Sequence, residues 1–272
     1  MVLRLISKRG KMDQRFRAGA VQFDIVNGDI QANTEAAVRY LGELADQGAC
    51  LGVLPEFFSC GFDNENIKAH ALKTPETLNR LSEFSRKRKM AIAGTLPQAE
   101  GEQVFNTLYF IDRDGRLSGA YQKLHLFRLT NEHDYYAPGS NTVVLDSSLG
   151  RIGLMICYDL RFPELARSLF LEGAGIIIVS AQWPRPRHRH WQILTRARAI
   201  ENQAYVICSN RTGTDGELFF PGLSSIVDPM GQVVAEAGDG PGVISADIDM
   251  GCVDEFRKTI PIKEDRRKDV YG

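Results

Sequence analysis

The 272-residue chain carries 33 Lys and Arg against 34 Asp and Glu, a formal net charge of −1, which argues against a dedicated nucleic-acid surface or a polybasic membrane anchor. Apolar residues make up 43% of it, yet no uninterrupted apolar run approaches the roughly 20 residues of a transmembrane helix. Five cysteines, at 50, 60, 157, 208 and 252, lack CxxC spacing; they fit a reducing compartment, read as the cytoplasm, and neither a disulfide framework nor a zinc ribbon.

Residues 1–16 are basic without an apolar stretch long enough for a secretory signal, and read as a disordered lead-in with Met12 as a second possible start. Residues 18–25 (AGAVQFDI) form a first expected strand. A helix follows Gly28-Asp29, in which Ala37, Leu41, Leu44 and Ala45 keep helical spacing and Gly48 closes the element. Residues 50–56 (CLGVLPE) read as a second strand ending on Pro55-Glu56, so this is a β-α-β unit with parallel strands. Pro75 opens a second helix running to Met90, whose basic run 86–89 reads as a solvated end, and residues 91–96 give a third strand. Two alternating runs within 104–123 flank Asp114-Gly115, a hairpin signal, and Lys123 closes the second arm. Residues 125–141 are polar and aromatic with Pro138-Gly139, and are expected to be an irregular loop walling a site.

The stretch RIGLMICYDLRFPE, residues 151–164, is the centre of the chain. Residues 152–156 read as a buried strand and Pro163 as the first turn of a helix, which leaves Cys157 in the elbow at the strand's carboxyl end. Open α/β sheets bind ligands at that edge. Residues 175–181 (GIIIVSA) and 204–210 (AYVICSN) are further strands around a helix over 186–203. Residues 223–228 and 232–236 pair about Pro229-Met230-Gly231, and 242–249 adds a last strand. The order predicts two sheets, each with helices on one face and packed sheet against sheet: an α/β fold, a four-layer α-β-β-α sandwich, in one domain over 17–250. Residues 251–272 are too polar to pack alone; they read as an arm laid across a second subunit, with disorder as the competing reading.

A cysteine beside apolar residues is ordinarily a core filler. Here the polar run Tyr158-Asp159-Leu160-Arg161 follows at once, and Glu56 and Lys123 close two other expected strands. Thiol-based cleavage of an amide needs a thiolate, donors for the oxyanion, and one group that moves protons to the leaving amine and from water. A carboxylate beside the thiol can do the last; an ammonium and the backbone N–H of Tyr158 can do the second.

The segments GVLPEFFSCGFD, AYQKLHLF and GLMICYDLRFPE resemble the three motif regions of the nitrilase superfamily of carbon–nitrogen hydrolases, and the resemblance spans roughly residues 17–272. It implies Glu56 as general base then acid, Lys123 as oxyanion stabiliser, Cys157 as nucleophile, and Glu132 as the second glutamate that orients the lysine and substrate. It also implies the sandwich fold, a homodimer formed through the helices near the cysteine, exchanged C-terminal arms, and no cofactor or metal. Within the superfamily the chain looks most like omega-amidase-type enzymes acting on small 2-oxo acid amides such as 2-oxoglutaramate. The Cys157-Tyr158-Asp159 run departs from the Cys-Trp-Glu of nitrile-cleaving members, while N-carbamoyl hydrolysis uses the same triad and stays open.

A small anionic substrate needs a fixed cation. Arg161, four residues beyond the thiol, and Arg128, in the loop after Lys123, are the expected ones, although a structural pairing of Arg161 is an equal alternative. Phe62, Phe127 and Trp183 are expected to wall the pocket. A metalloamidase built on His125, His133, His188 and His190 is disfavoured, because His188 and His190, two apart, fall on different sides of a helix. A binding protein on the same scaffold would not need all of Glu56, Lys123 and Cys157.

Overall fold

In the computed structural model, which describes residues 15–271, the strands run β1 (Arg15–Gln22), β2 (Ala49–Val53), β3 (Ala91–Glu100), β4 (Gln103–Ile111), β5 (Leu117–Gln122), β6 (Val144–Ser147), β7 (Gly150–Ile156), β8 (Ile176–Ala181), β9 (Tyr205–Asn210), β10 (Thr212–Asp215), β11 (Leu218–Pro221), β12 (Ser225–Val227), β13 (Val233–Glu236) and β14 (Gly242–Asp249). They form two six-stranded sheets, β14-β1-β2-β3-β4-β5 and β13-β12-β9-β8-β7-β6, with β10-β11 as a separate pair. β1, β2 and β3 are mutually parallel in the first sheet, as are β7, β8 and β9 in the second. The other ladders are antiparallel.

The side-chain alternation of the strands fixes the layers. From the first sheet Ala18, Ala20, Leu51, Val53, Ala91, Ala93, Leu108 and Phe110 face inward onto Ile152, Leu154, Ile156, Ile176 and Ile178 of the second. The alternate residues Val21, Ile92, Tyr109 and Ile111 face outward onto Ala37, Leu41, Leu44 and Leu81 of the helices Ile30–Asp46 and Thr74–Arg88. Helices Pro163–Leu171 and His188–Asn202 cover the second sheet through Leu165, Ala166, Leu169, Trp191 and Ala199. The expected α-β-β-α sandwich is the observed one. Gly19 and Gly52 set the helix 30–46 close against the first sheet: a Cβ at either would stand 2.4 or 2.6 Å from a methyl of Leu44 or Leu41.

Several boundaries differ from expectation. β1 starts three residues early because Arg15 and Arg17 pair with Asp249 and Asp247 of the antiparallel β14. The expected lead-in therefore ends by residue 14, and it and Met12 lie outside the described residues. The loop 125–141 contains two short helical turns, Arg128–Thr130 and Glu132–Tyr135. The tail begins with a helix, Met250–Thr259, that contacts the body of the chain: Val253 is buried, Arg257 donates to Ala174 O (2.6 Å), and Gln203 Nε2 donates to Ile260 O (2.8 Å). The pair β10-β11 was not anticipated, because TGTDGELFFP reads as a run of turns.

Candidate active site

Glu56, Lys123 and Cys157 follow β2, β5 and β7 at one edge of the sandwich, the carboxyl end of the parallel strands. Glu56 is drawn across from the first sheet to the second: its N–H donates to Ala181 O at the end of β8 (3.3 Å). Phe57, next in the chain, has φ 42°, a left-handed conformation unusual for a bulky residue, and its N–H donates to Thr95 Oγ1. Lys123 extends the β4–β5 ladder, its N–H on Asn106 O (2.9 Å). Cys157 also has a positive φ, 43°. Strain of about 1–3 kcal/mol at such a position persists only where the surroundings over-determine it.

Asp159 over-determines it here. Fully buried, its Oδ2 accepts from Tyr121 OH (2.7 Å) and Ile156 N (2.9 Å), and its Oδ1 from His125 N (3.1 Å) and the His125 ring (Nδ1, 2.7 Å). The His125 ring stacks on Phe162 at 3.6 Å. The carboxylate thus closes the elbow just behind the thiol and ties it to the strand that carries Lys123.

The ammonium of Lys123 is buried between two carboxylates, with Nζ 2.9 Å from Glu56 Oε1 and 2.9 Å from both oxygens of Glu132. Glu132 Oε2 also accepts from Phe127 N (3.1 Å). Burial works against the charge on Lys123, but Glu132, Glu56 and Cys157 outweigh it and hold its pKa well above the ordinary lysine value. Burial pushes Glu132 up, with Lys123 pulling the other way. Burial, then the Glu56 charge, pushes the Cys157 thiol well above its ordinary range despite Lys123. Both effects favour the neutral thiol over the thiolate that a nucleophile requires.

Glu56 lines the same cavity as the thiol. Its Oε1 accepts from Asn106 Nδ2 (2.7 Å) and Lys123 Nζ, whereas its Oε2 accepts only from Gln182 N (3.0 Å) and keeps a lone pair. Gln182 also clamps the main chain of Glu56, Nε2 to Glu56 O at 2.8 Å. Asn106 and Gln182 were not singled out from sequence. Asn106 stands as a polar residue in the apolar run FNTLYFI, which was the available signal; Gln182 in SAQWP gave none beyond its strand end.

Glu56, Glu132 and half-buried Cys157 open onto a cavity of about 380 Å³. Phe62, Phe127, Trp183 and Arg161 line it as expected, joined by Tyr158 and Arg187. Arg128 does not: the helical turn it starts exposes it, and Leu129 and Thr130 face the cavity instead. Arg161 lies over the Trp183 ring (4.7 Å), with both terminal nitrogens 3.3 Å from His190 Nδ1, and Arg187 lies over Phe127 (5.3 Å). Among the described residues neither reaches a carboxylate, and Asp159 and Glu132, the pairing alternatives for Arg161, are engaged elsewhere. Among the described residues no three His, Cys, Asp or Glu side chains gather as a metal site, and the His188 ring is bonded to Arg185 O (2.8 Å).

A family model described as carbon-nitrogen hydrolase matches residues 17–258. This chain belongs to that family. The carbon–nitrogen hydrolase is 36% identical over 259 residues to the 2-oxoglutaramate amidase of Bacillus subtilis strain 168, covering 94% of this chain and 100% of that one. It is 32% identical over 280 residues to omega-amidase NIT3 of Saccharomyces cerevisiae, covering 96% of each. Its fold superposes with a TM-score of 0.84 on an amidase from Nesterenkonia sp. AN1, at 29% identity and covering 94% of this chain and 95% of that one; that structure shows covalent addition of the acetamide moiety of fluoroacetamide at the active site cysteine. The hydrolase acts on carbon–nitrogen bonds other than peptide bonds. No described helix is long and apolar enough to cross a membrane.

Proposed function

We propose that this hydrolase releases ammonia from a small carboxylate-bearing amide of the 2-oxoglutaramate or 2-oxosuccinamate type, through a thioester on Cys157. The observation that carries the reading is that Glu56, Glu132 and Cys157 line one cavity, with the Lys123 ammonium buried behind them, its Nζ 2.9 Å from both Glu56 and Glu132. Sγ attacks the amide carbon while Glu56 Oε2 takes the thiol proton. The oxyanion meets Lys123 and the backbone N–H of Tyr158, worth about 10²–10³ in rate per donor in comparable sites. Glu56 returns the proton to nitrogen, the C–N bond breaks and ammonia leaves. Water then adds to the thioester, giving its proton to Glu56, and the tetrahedral adduct collapses to the acid and the reprotonated thiol. Glu132 keeps Lys123 aimed and charged throughout.

Arg161 supplies the fixed cation for the substrate carboxylate, supported by its place on the cavity wall without an acidic partner among the described residues. The working unit is a homodimer or higher homo-oligomer in the cytoplasm, with residues 251–272 as its arm. Exposed Ile193 and Ile200 on the helix 188–202 and Met230 beside it support the dimer, and five free thiols support a reducing compartment. Ammonia release from 2-oxoglutaramate, with Cys157→Ala as blank and intact-mass detection of the acyl adduct, tests the reading; wild-type protein that releases no more ammonia than the blank would defeat it.

A further inference from the structure

We propose that Arg211 is a positioning residue that seats the Glu56 carboxylate through Gln182, and that it couples this seat to the β10–β11 hairpin over the cavity. The proposal rests on Glu56 being the base. Arg211 follows β9 and is 1% exposed. Its Nη1 donates to Gln182 Oε1 (2.9 Å), and its Nη2 to Ile25 O (2.7 Å) and Thr214 O (2.9 Å). Asp24 and Asp215 lie farther off, at 3.3 and 3.4 Å, and both reach solvent, so those ion pairs add little.

A guanidinium only donates. The oxygen of the Gln182 amide must therefore face Arg211, and its NH₂ must face Glu56 O, where it lies 2.8 Å away. With side chain and carbonyl both engaged, the Gln182 N–H is delivered to Glu56 Oε2, the oxygen with the free lone pair. Without Arg211 the amide could turn over, and the donor that fixes Oε2 beside the thiol would lose its brace. The same guanidinium lies over the Phe220 ring (4.8 Å), and Gly222 N donates to Arg211 O (3.1 Å). Asp215, Leu218 and Phe220 of the hairpin line the cavity. One buried group thus anchors both a wall that meets substrate and the acid that performs proton transfer.

The test compares Arg211→Lys, Gln182→Met and the double variant, with Glu56→Gln as reference. Removing a hydrogen bond to a charged group should lower kcat/KM by about 10- to 100-fold in each single variant. It should also move the acid limb of the kcat/KM profile upward, since a carboxylate whose backbone donor is no longer braced in place becomes easier to protonate. Lys123, Glu132 and Cys157, which face Glu56, are unchanged in all three. Because both residues act through one contact, the double variant should be no slower than the worse single. Additive losses, or an unshifted acid limb with only melting temperature or KM altered, would overturn the proposal. If Arg211→Lys does not fold, Gln182→Met alone decides it, an unshifted limb again overturning it. Substantial turnover by Glu56→Gln would instead sink the base assignment beneath it.

Discussion

Replacing Lys123 by Met removes the one cation between two buried carboxylates. The facing oxygens of Glu56 and Glu132 each lie 2.9 Å from Nζ, and so no more than about 6 Å apart. At an effective dielectric of about 20, two unit charges at that separation repel by about 3 kcal/mol. That repulsion and burial favour a proton on one of the two acids, and breaking the buried pair costs about 3–5 kcal/mol of stability. The loss of an oxyanion donor lowers kcat by at least about 100-fold. The stability deficit depends on pH. A carboxyl whose folded pKa stands above its unfolded value contributes stability below the unfolded value and loses it as pH rises through the folded one, so the deficit should shrink between about pH 7.5 and pH 5. Ammonia release at saturating substrate and thermal melts at the two pH values measure both effects. A kcat within tenfold of wild type, or a melting deficit that ignores pH, would refute the reasoning.

Four further outcomes are expected. Cys157→Ala should abolish turnover yet melt within a few degrees of wild type, since the small side chain still suits the elbow. The ultraviolet thiolate signal of wild type minus Cys157→Ala should stay flat through about pH 8.5, the ordinary thiol midpoint; a step below that pH would mean a resting thiolate. Arg161→Met should raise KM for a carboxylate-bearing amide by about 10- to 100-fold while sparing kcat and neutral amides, and an unchanged KM would remove Arg161 from the substrate's charged end. Asp159→Ala strands the buried Ile156 N–H and Tyr121 hydroxyl, so calorimetry should show a loss of about 2–4 kcal/mol together with lost activity.

The sandwich was legible because its strands are short apolar runs whose alternation separates two faces, and because Asp-Gly and Pro-Met-Gly mark two of its hairpins, β4–β5 and β12–β13. The acid, ammonium and thiol were legible because each closes such a run. Their supports were not, since each works across long separations: Asn106 lies 50 residues from Glu56, and Gln182 lies 126 from it. A polar residue inside a strand announces burial trouble but not its partner. Arg128 was misplaced for a different reason, because an unforeseen helical turn points its neighbours inward. β1 began early because ion pairs with a strand more than 200 residues away extended the ladder.

The acid and the ammonium ride on one sheet, and the sulfur rides on the other. Catalysis is therefore a gauge of how the two slabs are seated, sensitive to a slip of a fraction of an ångström that leaves every ladder intact. On warming, turnover should fail before the circular-dichroism signal of the strands does, and substitutions deep in the interleaf, at Ala93 or Leu154, should alter turnover without touching the substrate.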